Sequence, residues 1–268
     1  MKITLVESKD RSLDSWLIGY LGAEIDRNQA GERRVIPARP NCFIQIVLLG
    51  GHAMTDIETG ERVDAPPVGL FGPLTHHRFD MAITGQLRTF CIRLQPAAAS
   101  HLFGLDPEAL VDSFFPLDLP AGLVEELQSA TTFAAMAGPV DRWLASVVNG
   151  RVDEDPVSLA ARRLRANKGV DSIQDLADES GLSLRQFQRR FKALTGLNPK
   201  HYGRICRIAH AVHLKELLPE ASWTGIALDC GYSDQSHFIR DFKALTDALP
   251  REFLRGQSPL KRHPRWPG

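Results

Sequence analysis

The last hundred residues carry the same phrase twice. Phe191-Lys192-Ala193-Leu194-Thr195 recurs as Phe242-Lys243-Ala244-Leu245-Thr246. Upstream, Ala177 and Gly181 recur as Ala227 and Gly231, and Phe187 and Arg189 recur as Phe238 and Arg240. Downstream, Pro199 recurs as Pro250. Two copies at a period near 50 residues are too few for a solenoid, which needs more repeats to close a core. Two units of helix, glycine turn and basic helix instead suit an extended ligand that is met twice.

Charge supports that reading. The net charge is zero, but residues 160–268 hold 19 Lys+Arg against 11 Asp+Glu, and residues 1–159 hold 13 against 21. A basic half joined to an acidic half fits a polyanion-binding module carried by another domain. The split allows the acidic half to dock on the basic one, or it reflects phosphate binding on one side and solubility on the other. Cys42, Cys91, Cys206 and Cys230 are scattered without a CxxC pair, as for reduced, buried thiols in a cytoplasmic protein. The N-terminus lacks the apolar core of a signal peptide, and no apolar run approaches the ~20 residues of a membrane helix.

The expected fold class is α+β. Residues 1–118 read as strand-rich: Cys42 to Leu49 is a β-branched apolar run ended by Gly50-Gly51. Leu87 to Leu94 alternates, with Phe90, Ile92 and Leu94 on one face and Cys91 and Arg93 on the other. Proline and glycine punctuate the interval, suggesting a small barrel or sandwich. Helices are expected over Ala97 to Phe103, Gly122 to Ala130 and Val140 to Val148, either as core or as a dimer seam. Polar Arg151 to Pro156 reads as a linker between residues 1–150 and 157–258.

Residues 157–256 read as helical throughout. Ser172 with Asp175, and Ser183 with Gln186, form cap pairs, while Ser222 and Ser233 are candidate caps in the second copy. Pro199 to Leu218 reads as one long connecting helix, with Tyr202, Ile205, Ala209, Val212 and Leu217 near one face. On Leu184 to Thr195, the stripe Leu184, Phe187, Phe191 and Leu194 faces inward, and Arg185, Gln188, Arg189 and Lys192 face out. In the second copy Phe238, Phe242 and Leu245 face inward, and Gln235, Ser236, Arg240 and Lys243 face out. Arginine and glutamine read guanine and adenine edges bidentately, so duplex DNA is the expected ligand.

These residues resemble the AraC/XylS family of bacterial transcriptional regulators. The match runs through Ile173, Leu176, Ala177, Gly181, Ser183, Phe187, Arg189, Phe191, Lys192, Gly196, Pro199 and Tyr202. It resumes through Arg207, Ala211, Ile226, Ala227, Gly231, Tyr232, Asp234, Ser236, His237, Phe238, Arg240, Phe242 and Lys243, ending at Pro250, Phe253 and Arg255. The resemblance implies two helix-turn-helix units entering successive major-groove segments. It assigns base contacts to Arg185, Gln188 and Arg189 in one helix and to Gln235, Ser236 and Arg240 in the other. Lys192 and Lys243 are assigned to phosphate or to the helix ends. One departure is Asp247, which stands where the first copy has Gly196; it suggests a different end to the second reading helix.

The N-terminal half resembles the cupin-like sensor domain of one subset of that family, through Val35-Ile36-Pro37, Phe71 to Thr75 and Ile92 to Gly104. Metal-binding cupins use an HxH pair, but here His76-His77 are adjacent and would point to opposite faces of a strand. His210 and His213 have metal-like helical spacing but no nearby carboxylate or thiolate, and read as solvated or core residues. The expectation is therefore a DNA-binding regulator and not an enzyme, with neither metal nor cofactor. Its candidate partners are operator DNA, RNA polymerase, a small-molecule effector and a second copy of the chain. The alternatives are a metal-dependent cupin enzyme fused to DNA-binding helices, a repair regulator with a methyl-accepting cysteine domain, and a general nucleic-acid binder. No cysteine cluster supports the second of these, and the mixed Gln, Ser and Arg faces favour sequence reading over the third.

Overall fold

The computed structural model describes residues 2–26 and 33–253; Arg255 of the family pattern lies outside them. The N-terminal half is one antiparallel sheet built from β1 (Lys2–Val6), β2 (Leu17–Ile25), β3 (Arg33–Ile36), β4 (Phe43–Asp56), β5 (Arg62–Asp64), β6 (Val68–Phe71), β7 (Phe79–Leu94) and β8 (Phe114–Pro116). The order is β1-β2-β7-β4-β6-β8, with β3 on the first half of β7 and β5 on β4. Alternation explains both faces of this sheet. Tyr20, Ile44, Ile46, Phe90, Ile92 and Leu94 point toward helices, and Leu21, Gln45 and Cys91 line a cavity on the other side.

The run from Cys42 does not end at Gly50-Gly51. β4 continues through both glycines to Asp56, with register shifts between Val47 and Gly51. Gly50 has φ +76°, and a Cβ there would lie 1.9 Å from the Gln86 oxygen. The glycine thus makes a bulge that bends a long strand, where the sequence suggested a stop.

The helices on the sheet are α1 (Ala98–Phe103), α2 (Pro107–Leu110), α3 (Ala121–Ser129) and α4 (Phe133–Val148). Helix α4 starts a full two turns before the expected Val140 and contains Pro139. Its Phe133 lies on β2 at Gly22, where a Cβ would sit 2.2 Å from the ring. Buried Asp141 of α4 accepts hydrogen bonds from the Tyr20 hydroxyl and from Ser8 Oγ at 2.7 Å, fixing the helix to the sheet. This face of the sheet is core.

The C-terminal half comprises α5 (Pro156–Ala166), α6 (Ile173–Glu179), α7 (Leu184–Thr195), α8 (Pro199–Leu217), α9 (Trp223–Asp229), α10 (Gln235–Thr246) and α11 (Pro250–Phe253). Their common core includes Leu176, Phe187, Phe191, Tyr202, Phe238 and Phe242. Tyr202, Ile205 and Val212 of α8 are buried as expected, but Leu217, at the C-terminal end, is 46% exposed. The segment before α5 is not slack: Asp153 is buried against Arg162, and Asp155 caps α5 and pairs with Arg190. Among the described residues no helix is long and apolar enough to cross a membrane.

Candidate nucleic-acid interface

Each helix-turn-helix unit is set by the same two hydrogen bonds. In the first, Gly181 N–H donates to the Asp178 oxygen and Leu182 N–H to the Ala177 oxygen. In the second, Gly231 N–H donates to the Leu228 oxygen and Tyr232 N–H to the Ala227 oxygen. Both glycines take positive φ, +67° and +77°, which only glycine adopts without strain. The units are offset by 50 residues up to this turn and by 51 after it. The extra residue changes one expectation: Ser233 does not cap α10. Asp234 does, accepting from His237 N at 2.7 Å, in the place where Ser183 caps α7. Ser172, Ser183 with Gln186, and Ser222 cap as their positions suggested.

Helices α7 and α10 are then twelve residues each, with Arg185 equivalent to Ser236, Gln188 to Ile239, Arg189 to Arg240 and Lys192 to Lys243. Phe187, Phe191, Phe238 and Phe242 are fully buried behind them. Arg185, Arg189, Lys192, Gln235, Ser236, Arg240 and Lys243 are exposed, and Gln188 is half-buried. The different end expected of α10 proves ordinary. Asp247 takes the left-handed conformation at φ +55°, and its N–H caps the Lys243 oxygen at 2.9 Å, as Gly196 caps that of Lys192 at 2.8 Å.

The two outward faces meet different surroundings. Lys192 Nζ is 3.0 Å from Glu108 of α2, and Gly196 packs on Pro107. Arg240 and Lys243 instead line an open cleft, whose far wall is Ile57, His76 and His77 of the sheet region. Those histidines sit in a bend after β6, not on a strand as the sequence suggested, and each meets its own acid. His76 Nε2 is 3.1 Å from Glu58, and buried His77 Nε2 is 3.0 Å from Asp80. On α8, His210 and His213 are half-buried, and burial lowers the pKa of His210.

A polar network behind α10 was not read from the sequence. Buried Asp241 accepts from Arg204 of α8 at 2.8 and 3.0 Å and from the Tyr232 hydroxyl at 3.1 Å. Burial, with the adjacent Asp241 carboxylate, raises the Tyr232 pKa. The equivalent position in α7 is Arg190, bound to Asp155. That opposite charge at matched positions of the repeat was the available signal.

A helix-turn-helix domain model matches residues 176–256. The transcriptional activator RhaS of Escherichia coli O157:H7 is 40% identical over 82 residues, 31% of this chain and 29% of its own length. RhaS of Citrobacter koseri is 38% identical over 87 residues, 32% of this chain and 31% of its own length. The chain thus spans less than a third of these curated relatives. The structure of ToxT from Vibrio cholerae superposes with a TM-score of 0.52 at 11% identity, covering 87% of this chain and 96% of that one. A second ToxT structure, of an apo variant from strain SCE256, gives 0.52 at 13% identity over 94% and 100%. These place the same order of β-rich and helical regions in a known architecture. With its paired helix-turn-helix units in register on one long helix, the helical half of the chain is similar to the helix-turn-helix region of these transcriptional activators.

Proposed function

We propose that the chain is a sequence-specific DNA-binding transcriptional regulator, and not an enzyme, acting in the bacterial cytoplasm. Residues 157–258 form its DNA-binding region, 151–156 its connector, and 1–150 a sensing or dimerising region. The supporting observation is the pair of equal-length helices with matched exposed side chains over buried phenylalanines. Arg185, Gln188 and Arg189 read bases in one groove segment, and Gln235, Ser236 and Arg240 read bases in the next. Lys192 and Lys243 meet phosphates, which position the protein without carrying sequence information. RNA polymerase, a small effector and a second copy of the chain complete the set of partners.

Selection of bound duplexes from a random pool, followed by footprinting of the full chain, tests it. The expected footprint covers two major-groove segments about one turn, ~10 bp, apart. Protection of a single groove segment would show that the second unit is structural. Equal affinity for all duplexes would show a general nucleic-acid binder.

A further inference from the structure

The buried face of α10 carries Phe238, Phe242 and Leu245, and among them a carboxylate, Asp241. Its Oδ1 accepts from Nε and Nη2 of Arg204 on α8, at 3.0 and 2.8 Å. Its Oδ2 accepts from the Tyr232 hydroxyl at 3.1 Å and lies 3.5 Å from Nε2 of His237, one turn back on α10. The Arg207 guanidinium, also from α8, stands 5.2 Å from the centroid of the Tyr232 ring. One carboxylate therefore joins α8, the turn of the second unit and α10 itself.

At the matched positions the first unit carries none of these groups. Arg190 stands in place of Asp241, Leu182 in place of Tyr232 and Gln186 in place of His237. Arg190 reaches out to Asp155 in a half-exposed pair, and Gln186 closes the capping box with Ser183. Taking a carboxylate and a guanidinium out of water costs about as much as their attraction returns, so such a pair is weak evidence of stability. What it adds is direction. Packed phenylalanine rings tolerate a helix that rolls by some degrees, whereas hydrogen bonds aimed at fixed oxygens do not. Reading a base needs that precision: both donors of an arginine fork must meet their acceptors, and a site works when held within about 0.5 Å and 10–20°.

We propose that Asp241 is a positioning residue for DNA reading: tied to Arg204 and Tyr232, it fixes the roll of α10 on α8 and so decides which bases Ser236 and Arg240 meet. Asp241 itself lies behind the helix and touches no base. Its effect is confined to the half of the site that α10 reads, because α7 is held by other groups. The consequence for DNA rests on the base-reading role proposed for α10; the hold on α10 does not.

The test compares the full chain with Asp241→Asn and with the triple change Arg204→Met, Tyr232→Phe and Asp241→Leu. The triple change replaces the whole network by apolar groups of similar size, which is often neutral or stabilising, so the unfolding midpoint should hold or rise. Binding selections from a random duplex pool should return unchanged preferences in the α7 half of the site. In the α10 half, the affinity ratio between the preferred base and the next should fall about fivefold or more at one or two positions. A purely structural network would move the midpoint and leave that ratio alone. Without DNA, amide hydrogen exchange over residues 235–246 should quicken in the triple variant and stay constant over 184–195. If the triple variant fails to fold, Asp241→Asn carries the same comparison. Unchanged preferences in both halves, or an equal loss in both, overturn the positioning role. Should the unaltered chain select no sequence, the regulator function falls with the consequence for DNA. Exchange then decides the hold on α10, and equal rates over 235–246 with and without the network overturn it.

Discussion

Helices α7 and α10 are near copies in themselves and different in their attachments. Helix α7 is held by ion pairs, Lys192 on Glu108 and Arg190 on Asp155, and by Gly196 at its end against Pro107. Helix α10 is held from outside by backbone, Ala38 to Leu245, and from within by the buried Asp241–Arg204 pair. Exposed ion pairs contribute little and yield to salt, whereas a backbone bond in a packed seam does not. A duplicated fold unit can therefore be kept constant in shape while its two copies answer to different parts of the same protein.

The comparison should survive its harshest test in the cores. Phe187→Ala and Phe238→Ala each remove a fully buried ring. Each should cost about 3–5 kcal/mol in denaturant unfolding of the full chain. A cost under ~1 kcal/mol for either would show that its unit folds without its ring and that the copies are not equivalent.

The helix ends should separate the copies. Gly196→Ala places a side chain in a left-handed turn, and its Cβ would lie 2.3 Å from the Pro107 oxygen. A loss of about 1–3 kcal/mol is expected, combining left-handed strain with the displacement of α2. Asp247→Gly should instead gain up to about 1 kcal/mol, since Asp247 already tolerates that conformation beside an open cleft. Thermal unfolding of both variants measures the sign.

At DNA, Arg189→Ala and Arg240→Ala should each relax base preference at one or two positions, in opposite halves of the site. Each costs roughly 1–3 kcal/mol if the guanidinium is bidentate to guanine. Binding selections on the two variants would reveal the position affected, and a uniform loss across all sequences would mark a phosphate contact.

The smallest expected effect concerns the outer tether. Glu108→Gln releases Lys192 and should raise DNA affinity by up to about 1 kcal/mol at low salt. The gain should fade as salt rises. The matching change near α10, His77→Gln, removes no partner of Lys243 and should leave affinity unchanged. Gel-shift titrations across a salt series compare the two.

The repeat made the helical half legible because helix signals are local. Caps at Ser172, Ser183 and Ser222, the two glycine turns and the phenylalanine stripes are all set within a few residues. The failure there was also local: an extra residue after Gly231 moved the cap from Ser233 to Asp234. In the β-rich half the signals are not local. Gly50 reads as a stop until its partner strand shows a bulge, and Pro139 hides the first turns of α4, whose partner is Gly22. The cavity was invisible for the same reason. Arg39, His52 and Cys91 come from a loop and two strands, and only curvature brings them together.

Ala38 also limits what a truncation can say. It precedes the linker by more than a hundred residues, yet it fills part of the core beneath α10. Cutting the chain at the linker leaves a DNA-binding fragment with an unfilled apolar seat and a bare carbonyl at Leu245. Any gain or loss of affinity in that fragment mixes release from the sensor with damage to the reader. A peptide spanning the Ala38 segment, added back in trans, would tell the two apart.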